Sequence, residues 1–178
     1  FRILGLFEKK GMIDEVSCVY RENWKKEITI NGNLLPRNTE HIGQYPIVLI
    51  APDDIQLITG ESRDRRMFID QLISQLDTSY LHHLLSYNRL LQQRNALLKE
   101  MASKRQMEDP LLDVIDQQLA PYGSLLFEKR KKILEELVPI AKEIYQQLAS
   151  SPEKINSESL TLIYRSELEK NEFSDLLK

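Results

Sequence analysis

The chain opens on strand patterns. RILGLFEK and DEVSCVYREN are separated by KGM, where Gly11 suits a turn. KKEITINGNLL then alternates Ile28 and Ile30 with polar neighbours and continues into Asn31-Gly32. Such a pair is a strong short-range hairpin signal, because both residues tolerate the positive φ that a two-residue turn requires. Three strands so linked predict an antiparallel meander. YPIVLIAP differs. Ile47, Val48, Leu49 and Ile50 form an unbroken apolar run between Pro46 and Pro52, the pattern of a strand buried on both faces.

From Ser62 the period becomes helical. Ser62 reads as an N-cap, followed by Met67, Phe68, Leu72, Ile73 and Leu76. Asp77-Thr78-Ser79 offers the next cap, for a long helix over SYLHHLLSYNRLLQQRNALLKEMASKRQ. Its Leu84, Leu91 and Leu98 lie seven apart, a seam too short for a coiled coil and suited to packing within a bundle. Asp109-Pro110 starts a third helix, since proline is favoured at the first helical position. Pro121 is expected to interrupt it, and Pro139 to bend the helix that resumes, at a local cost of ~3 kcal/mol. SSPEKINSES reads as a loop, and LTLIYRS, alternating Leu160, Leu162 and Tyr164, as a returning strand. The expected class is α+β. Residues 1–60 form a β-rich part, 61–158 a helical domain inserted after it, and 159–178 a strand and helix returning to the first lobe.

Composition narrows the function classes. The chain has 178 residues, 42 % hydrophobic and 29 % charged, the balance of a soluble globular protein. A net charge of −3 means that any nucleic-acid surface is a local patch. Cys18 is the only cysteine, which excludes an internal disulfide and fits a cytoplasmic setting. No apolar run approaches the ~20 residues needed to cross a bilayer, so no membrane partner is expected. Phe1 stands inside an apolar run and EKNEFSDLLK reads as an unfinished helix, so the chain is expected to be cut from a longer polypeptide.

Motifs for self-contained catalysis are missing. There is no G-x-x-x-x-G-K-[ST], G-x-G-x-x-G or G-x-S-x-G. His82 and His83 are helical neighbours and point about 100° apart, so they cannot share a metal. With His41 isolated, no metal site and no catalytic residue is assigned. Two features stand out. Asp53-Asp54 follows the apolar run, where turn capping is the first reading and where α/β proteins also place functional groups. Arg63, Arg65 and Arg66 crowd a helix start whose partial positive charge favours acids. Pairing with Asp53, Asp54, Glu61 or Asp64 would relieve them, and so would a bound phosphate, which arginine forks suit. Lys129 and Arg130 head a basic run in which 128/132 and 131/135 are opposite-charge i,i+4 pairs, so a solvated face and a phosphate contact both remain open.

These same residues carry a resemblance. Pro52-Asp53-Asp54 with Leu57 and Gly60, Arg65-Arg66 with Phe68 and Asp70, then Tyr87, Leu90, Leu91 and Gln93-Arg94-Asn95-Ala96-Leu97 resemble the RecF family of bacterial DNA replication and repair proteins. Asp116, Gln118, Leu119, Ala120, Gly123 and Arg130 fit the next helical stretch, with Ile115 where a tryptophan would be expected. The resemblance implies an ATPase of the ABC type related to structural-maintenance-of-chromosomes proteins. It implies ATP and magnesium as cofactors, an ATP-dependent homodimer, and binding to single-stranded or gapped DNA. It also implies work with RecO and RecR in loading RecA, during replication, recombinational repair and the SOS response. The family's Walker A, signature and Walker B motifs are absent from this span, so the chain itself is not expected to hydrolyse ATP, while the full-length protein would be a weak DNA-dependent ATPase. Asp53 and Asp54 would fall in the Q-loop region, and Arg63, Arg65, Arg66, Lys129 and Arg130 are the DNA-binding candidates. A stand-alone helical interaction scaffold built on the leucine seam, and a hydrolase with an unrecognised site, are the other readings.

Overall fold

The computed structural model describes residues 1–21, 25–149 and 163–177. A meander opens it: β1 (Arg2–Lys9), β2 (Met12–Tyr20), β3 (Lys26–Ile30) and the short β4 (Asn33–Leu34) pair antiparallel in chain order. Both tight turns follow from sequence. Lys10 and Gly11 take φ of 53° and 78°, and Asn31 and Gly32 take 50° and 80°, the positive values that match the twist of a hairpin. Asn31 also ties its turn to β2, accepting the Glu15 N–H at 2.8 Å and donating to Asp14 Oδ1 at 2.7 Å. One face of the sheet buries Ile28 and packs Phe7 on Tyr45, with ring centroids 4.6 Å apart. The other leaves Leu4, Leu6 and Ile13 exposed.

The apolar run at 47–50 is not a strand. Val48 and Ile50 are 89 % and 87 % exposed, and the run pairs with no strand among the described residues. Apolarity makes a segment fit for burial, but a strand exists only where an edge accepts its hydrogen bonds. Here the Ile47 N–H goes instead to the Gln75 side chain, at 2.9 Å.

Four helices follow: α1 (Gln56–Thr59), α2 (Ser62–Leu76), α3 (Thr78–Lys104) and α4 (Pro110–Ala149). Asp77 caps α3, its Oδ1 accepting from Ser79 N at 2.9 Å and Tyr80 N at 3.2 Å. Asp109 does the same for α4 through the Leu111 N–H, with Pro110 at the first position. The interruption expected at Pro121 does not occur. One 40-residue helix runs through Pro121 and Pro139. Leu119 and Leu126, 0 % and 1 % exposed, flank Pro121, and their burial outweighs the backbone bond it removes. Ile69 and Ile73 of α2, Tyr80 of α3 and Leu126 of α4 form the core of this helical unit, with Leu84 and Tyr87 packed against it. The leucine seam therefore begins inside the bundle.

Of the expected returning strand, 160–162 lies outside the described residues. Residues 163–166 carry no ladder, and Tyr164 stacks on Phe127 of α4 at 6.0 Å. α5 (Phe173–Leu176) docks Phe173 edge-on against Tyr87 of α3 at 6.1 Å. Gly123 makes this approach possible, since a Cβ there would overlap the Phe173 ring.

Candidate nucleic-acid interface

The turn leading into α2 is held by its own acids. Asp54 Oδ2 accepts the Ala51 N–H at 2.7 Å, and Asp64 Oδ2 accepts the Glu61 N–H at 2.9 Å. Glu61, not Ser62, is the N-cap, and Ser62 is the first helical residue. The structure sets Asp64 three residues after the cap, close enough to satisfy the cap's own N–H, a reciprocal arrangement that a serine scan misses.

The arginines of this turn separate. Arg65 Nη1 donates to Gly60 O at 2.9 Å and to Leu57 O at 3.3 Å. It therefore satisfies carbonyls that the end of α1 leaves without a helical partner. Neither Asp53, Asp54, Glu61 nor Asp64 forms an ion pair with Arg63, Arg65 or Arg66 among the described residues. Asp53 and Arg63 are exposed.

Lys129 and Arg130 also differ from expectation. The i,i+4 pairs 128/132 and 131/135 do not form ion pairs, and both cations reach across helices instead. Lys129 Nζ meets Asp77 Oδ2 at 2.7 Å, which together with the Ser79 hydroxyl holds the Asp77 carboxyl well below its ordinary range. Arg130 grips Asp70 at two points, Nε–Oδ1 at 2.7 Å and Nη2–Oδ2 at 2.8 Å, with side chains 17 % and 14 % exposed. Tyr80 donates to the same Asp70 Oδ1 at 2.5 Å. Burial disfavours the Arg130 charge, and the Asp70 carboxylate more than offsets this, so the guanidinium stays well above its ordinary range. Burial, then Asp70, pushes the Tyr80 phenol up, so it remains a donor.

A second fork was not expected from sequence. Arg94 Nε meets Asp116 Oδ1 at 2.6 Å, its Nη2 meets Oδ2 at 3.2 Å, and the same nitrogen donates to Leu177 O at 2.8 Å. The available signal is an acid on an apolar helical face: Asp116 lies beside Ile115 and Leu119, and acids are almost never buried unpaired.

Between α2, α4 and residues 163–173 lies a cleft of about 450 Å³. Arg65, Arg66 and Arg130 line it, which brings together three of the five DNA-binding candidates. Arg165 joins them, a residue the sequence did not single out, together with Tyr87, Phe127, Tyr164 and Phe173. Arg63 and Lys129 do not line it. No cluster of three or more metal-ligating side chains occurs among the described residues, and no described helix is long and apolar enough to cross a membrane.

No family model matches the chain. It is 38 % identical over 175 residues to the DNA replication and repair protein RecF of Parabacteroides distasonis, covering 98 % of this chain and 46 % of that protein. It is 37 % identical over 178 residues to RecF of Flavobacterium johnsoniae, covering 100 % of this chain and 48 % of that protein. Two solved structures of the recombination mediator protein RecF in the RecFOR pathway share the fold. The RecF-ATPrS structure matches with a TM-score of 0.80 at 29 % identity, over 99 % of this chain and 46 % of that one. The RecF-ATP structure matches with a TM-score of 0.79 at 28 % identity, over 99 % and 48 %. The sheet-then-helix order and the near-complete coverage agree across relatives and structures: the chain belongs to the RecF family and spans just under half the length of the curated relatives it matches.

Proposed function

We propose that this chain supplies the meander sheet and helical arm of a DNA-binding ATPase that acts in DNA replication, recombinational repair and the SOS response. In this reading the full-length protein binds single-stranded or gapped DNA. It binds ATP with magnesium between the protomers of a homodimer, hydrolyses it slowly, and works with RecR and RecO to load RecA in the cytoplasm. The observation that carries the reading is the similarity of nearly the whole length of the chain to RecF relatives and to RecF structures named for ATP and the RecFOR pathway. The gathering of unpaired arginine charge beside the helical arm supports its DNA-binding part.

The residues present do not make an ATP–magnesium site by themselves. Asp54 is engaged by the Ala51 N–H, Asp53 is exposed, and no phosphate-binding loop occurs in the sequence. Asp53 and Asp54 enter the proposal only as the Q-loop region. The turn they begin runs through α1 into the helical arm, and Arg65 fastens its carbonyls to α2. The scaffold reading has less support, because Leu84 packs on the bundle core and Met101 is buried.

A salt titration of DNA affinity tests the DNA part. Each phosphate contact on duplex DNA contributes about 0.9 to the slope of log affinity against log salt. Replacing Arg63 and Arg66 by alanine in the full-length protein is expected to flatten that slope by up to about 2. An unchanged slope assigns these arginines no phosphate.

A further inference from the structure

The cleft beside the helical arm carries charge that its own fold does not use. Of its four arginines, Arg65 is bound to the Leu57 and Gly60 carbonyls and Arg130 to Asp70. Arg66 and Arg165 form no ion pair or hydrogen bond among the described residues. They share the cleft with aromatic and apolar residues and with Ser62 and Ser166. Tyr87 and Tyr164 lie within the field of Arg66 and Arg130, and Phe127 and Phe173 stand beside them.

Two guanidinium groups free to fork onto an anion suit a phosphate. Aromatic faces beside them suit a base, because stacking is worth about 1–3 kcal/mol per base and every base has a π-face. A volume of about 450 Å³ lies within the roughly 300–1,000 Å³ of small-ligand sites. That is room for one small ligand and not for a turn of duplex.

We infer that this cleft receives one unpaired nucleotide, its base against the Tyr164 wall and its phosphate on Arg66 and Arg165. The inference rests on the DNA-binding reading above and adds to it a way of telling a strand end or gap from continuous duplex. The nucleotide comes either from unpaired DNA or from a free mononucleotide, and the two sources are separable.

The test uses the full-length protein with three probes. These are a blunt duplex, the same duplex with a short overhang whose first unpaired base is 2-aminopurine, and adenosine monophosphate. Binding of the overhang is expected to quench 2-aminopurine, as stacking does. Tyr164→Ala should abolish that quenching, and Arg165→Ala should weaken overhang binding at least tenfold more than it weakens blunt-duplex binding. Arg165 is exposed, so its replacement does not put folding at stake. Fluorescence that stays constant on binding, or equal losses for blunt and overhang probes, overturns the inference. Saturation by adenosine monophosphate, with none by the overhang, overturns its DNA source. Loss of affinity for every DNA probe in the wild type instead rejects the DNA-binding reading itself.

Discussion

Arg130 on α4 holds Asp70 on α2 through two parallel hydrogen bonds of 2.7 and 2.8 Å, and Tyr80 on α3 donates to the same carboxylate at 2.5 Å. One acid therefore fastens all three long helices. Removing one member of a buried pair leaves the other charge uncompensated. Arg130→Ala and Asp70→Ala are each expected to cost roughly 3 kcal/mol, the lower end for a fully buried pair. The double variant should cost much less than the sum of the two. Tyr80→Phe, which keeps the ring and loses one hydrogen bond, should cost only about 1 kcal/mol. Urea unfolding of the single and double variants measures the coupling, and additive losses would show that the pair does not act as a unit.

Gly123 sits inside α4, where glycine is destabilising by about 0.5–1 kcal/mol relative to alanine. The fold retains it because Phe173 occupies the space of a Cβ. Gly123→Ala is expected to destabilise by about 1–3 kcal/mol through overpacking, or to release Phe173 from Tyr87. In a Phe173→Ala background the same change should turn stabilising, by about 0.5–1 kcal/mol. Thermal or urea unfolding of the four variants reads that change of sign, and its absence would separate Gly123 from Phe173.

Arg65 and Arg66 are neighbours with different work. Arg65→Ala leaves the Leu57 and Gly60 carbonyls without their donor, so amide exchange over 56–61 should accelerate. Arg66→Ala removes no hydrogen bond within the described residues, so it should leave unfolding within about 0.5 kcal/mol of wild type. Its effect is expected in DNA affinity instead. Hydrogen exchange and DNA titration on the two variants distinguish a structural arginine from a contacting one.

Asp77 makes stability depend on acid. Lys129, then Ser79, depresses its pKa from an ordinary value of 3.8 in the folded state. A depressed carboxylate stabilises fully above its unfolded pKa and loses that contribution as pH falls below it. Unfolding free energy should therefore drop from about pH 4 downward, and Asp77→Asn should flatten that drop while keeping most of the cap. Asp77→Ala should cost about 0.5–2 kcal/mol at neutral pH through loss of the α3 cap. Urea unfolding between pH 2 and 7 provides the comparison.

Where the sequence was legible, the decisive interaction spans only a few residues. Asn31-Gly32 has its turn because two adjacent residues tolerate positive φ, and Asp77 and Asp109 cap because their carboxylates reach amides two or three residues on. The N-cap falls at Glu61 and not at Ser62 even so, because Asp64, which the sequence presents as a charge, also accepts the Glu61 N–H. Other features depended on distant partners. The run at 47–50 has strand-like side chains and no edge to join, and Pro121 lies in a helix because Leu119 and Leu126 are buried around it.

The candidate site divides the same way. Sequence alone determined the α+β order, the hairpin turns, the helix starts at Asp77 and Asp109, and an arginine-rich joint between sheet and helices, since each is set by period, local φ preference or short-range hydrogen bonding. Only the tertiary structure decided which arginines are engaged, that Arg165 lines the same cleft as Arg66, and that Asp70 anchors three helices. A charge acquires its role from the groups packed around it, and for Asp70 and Arg130 those groups lie 60 residues apart along the chain.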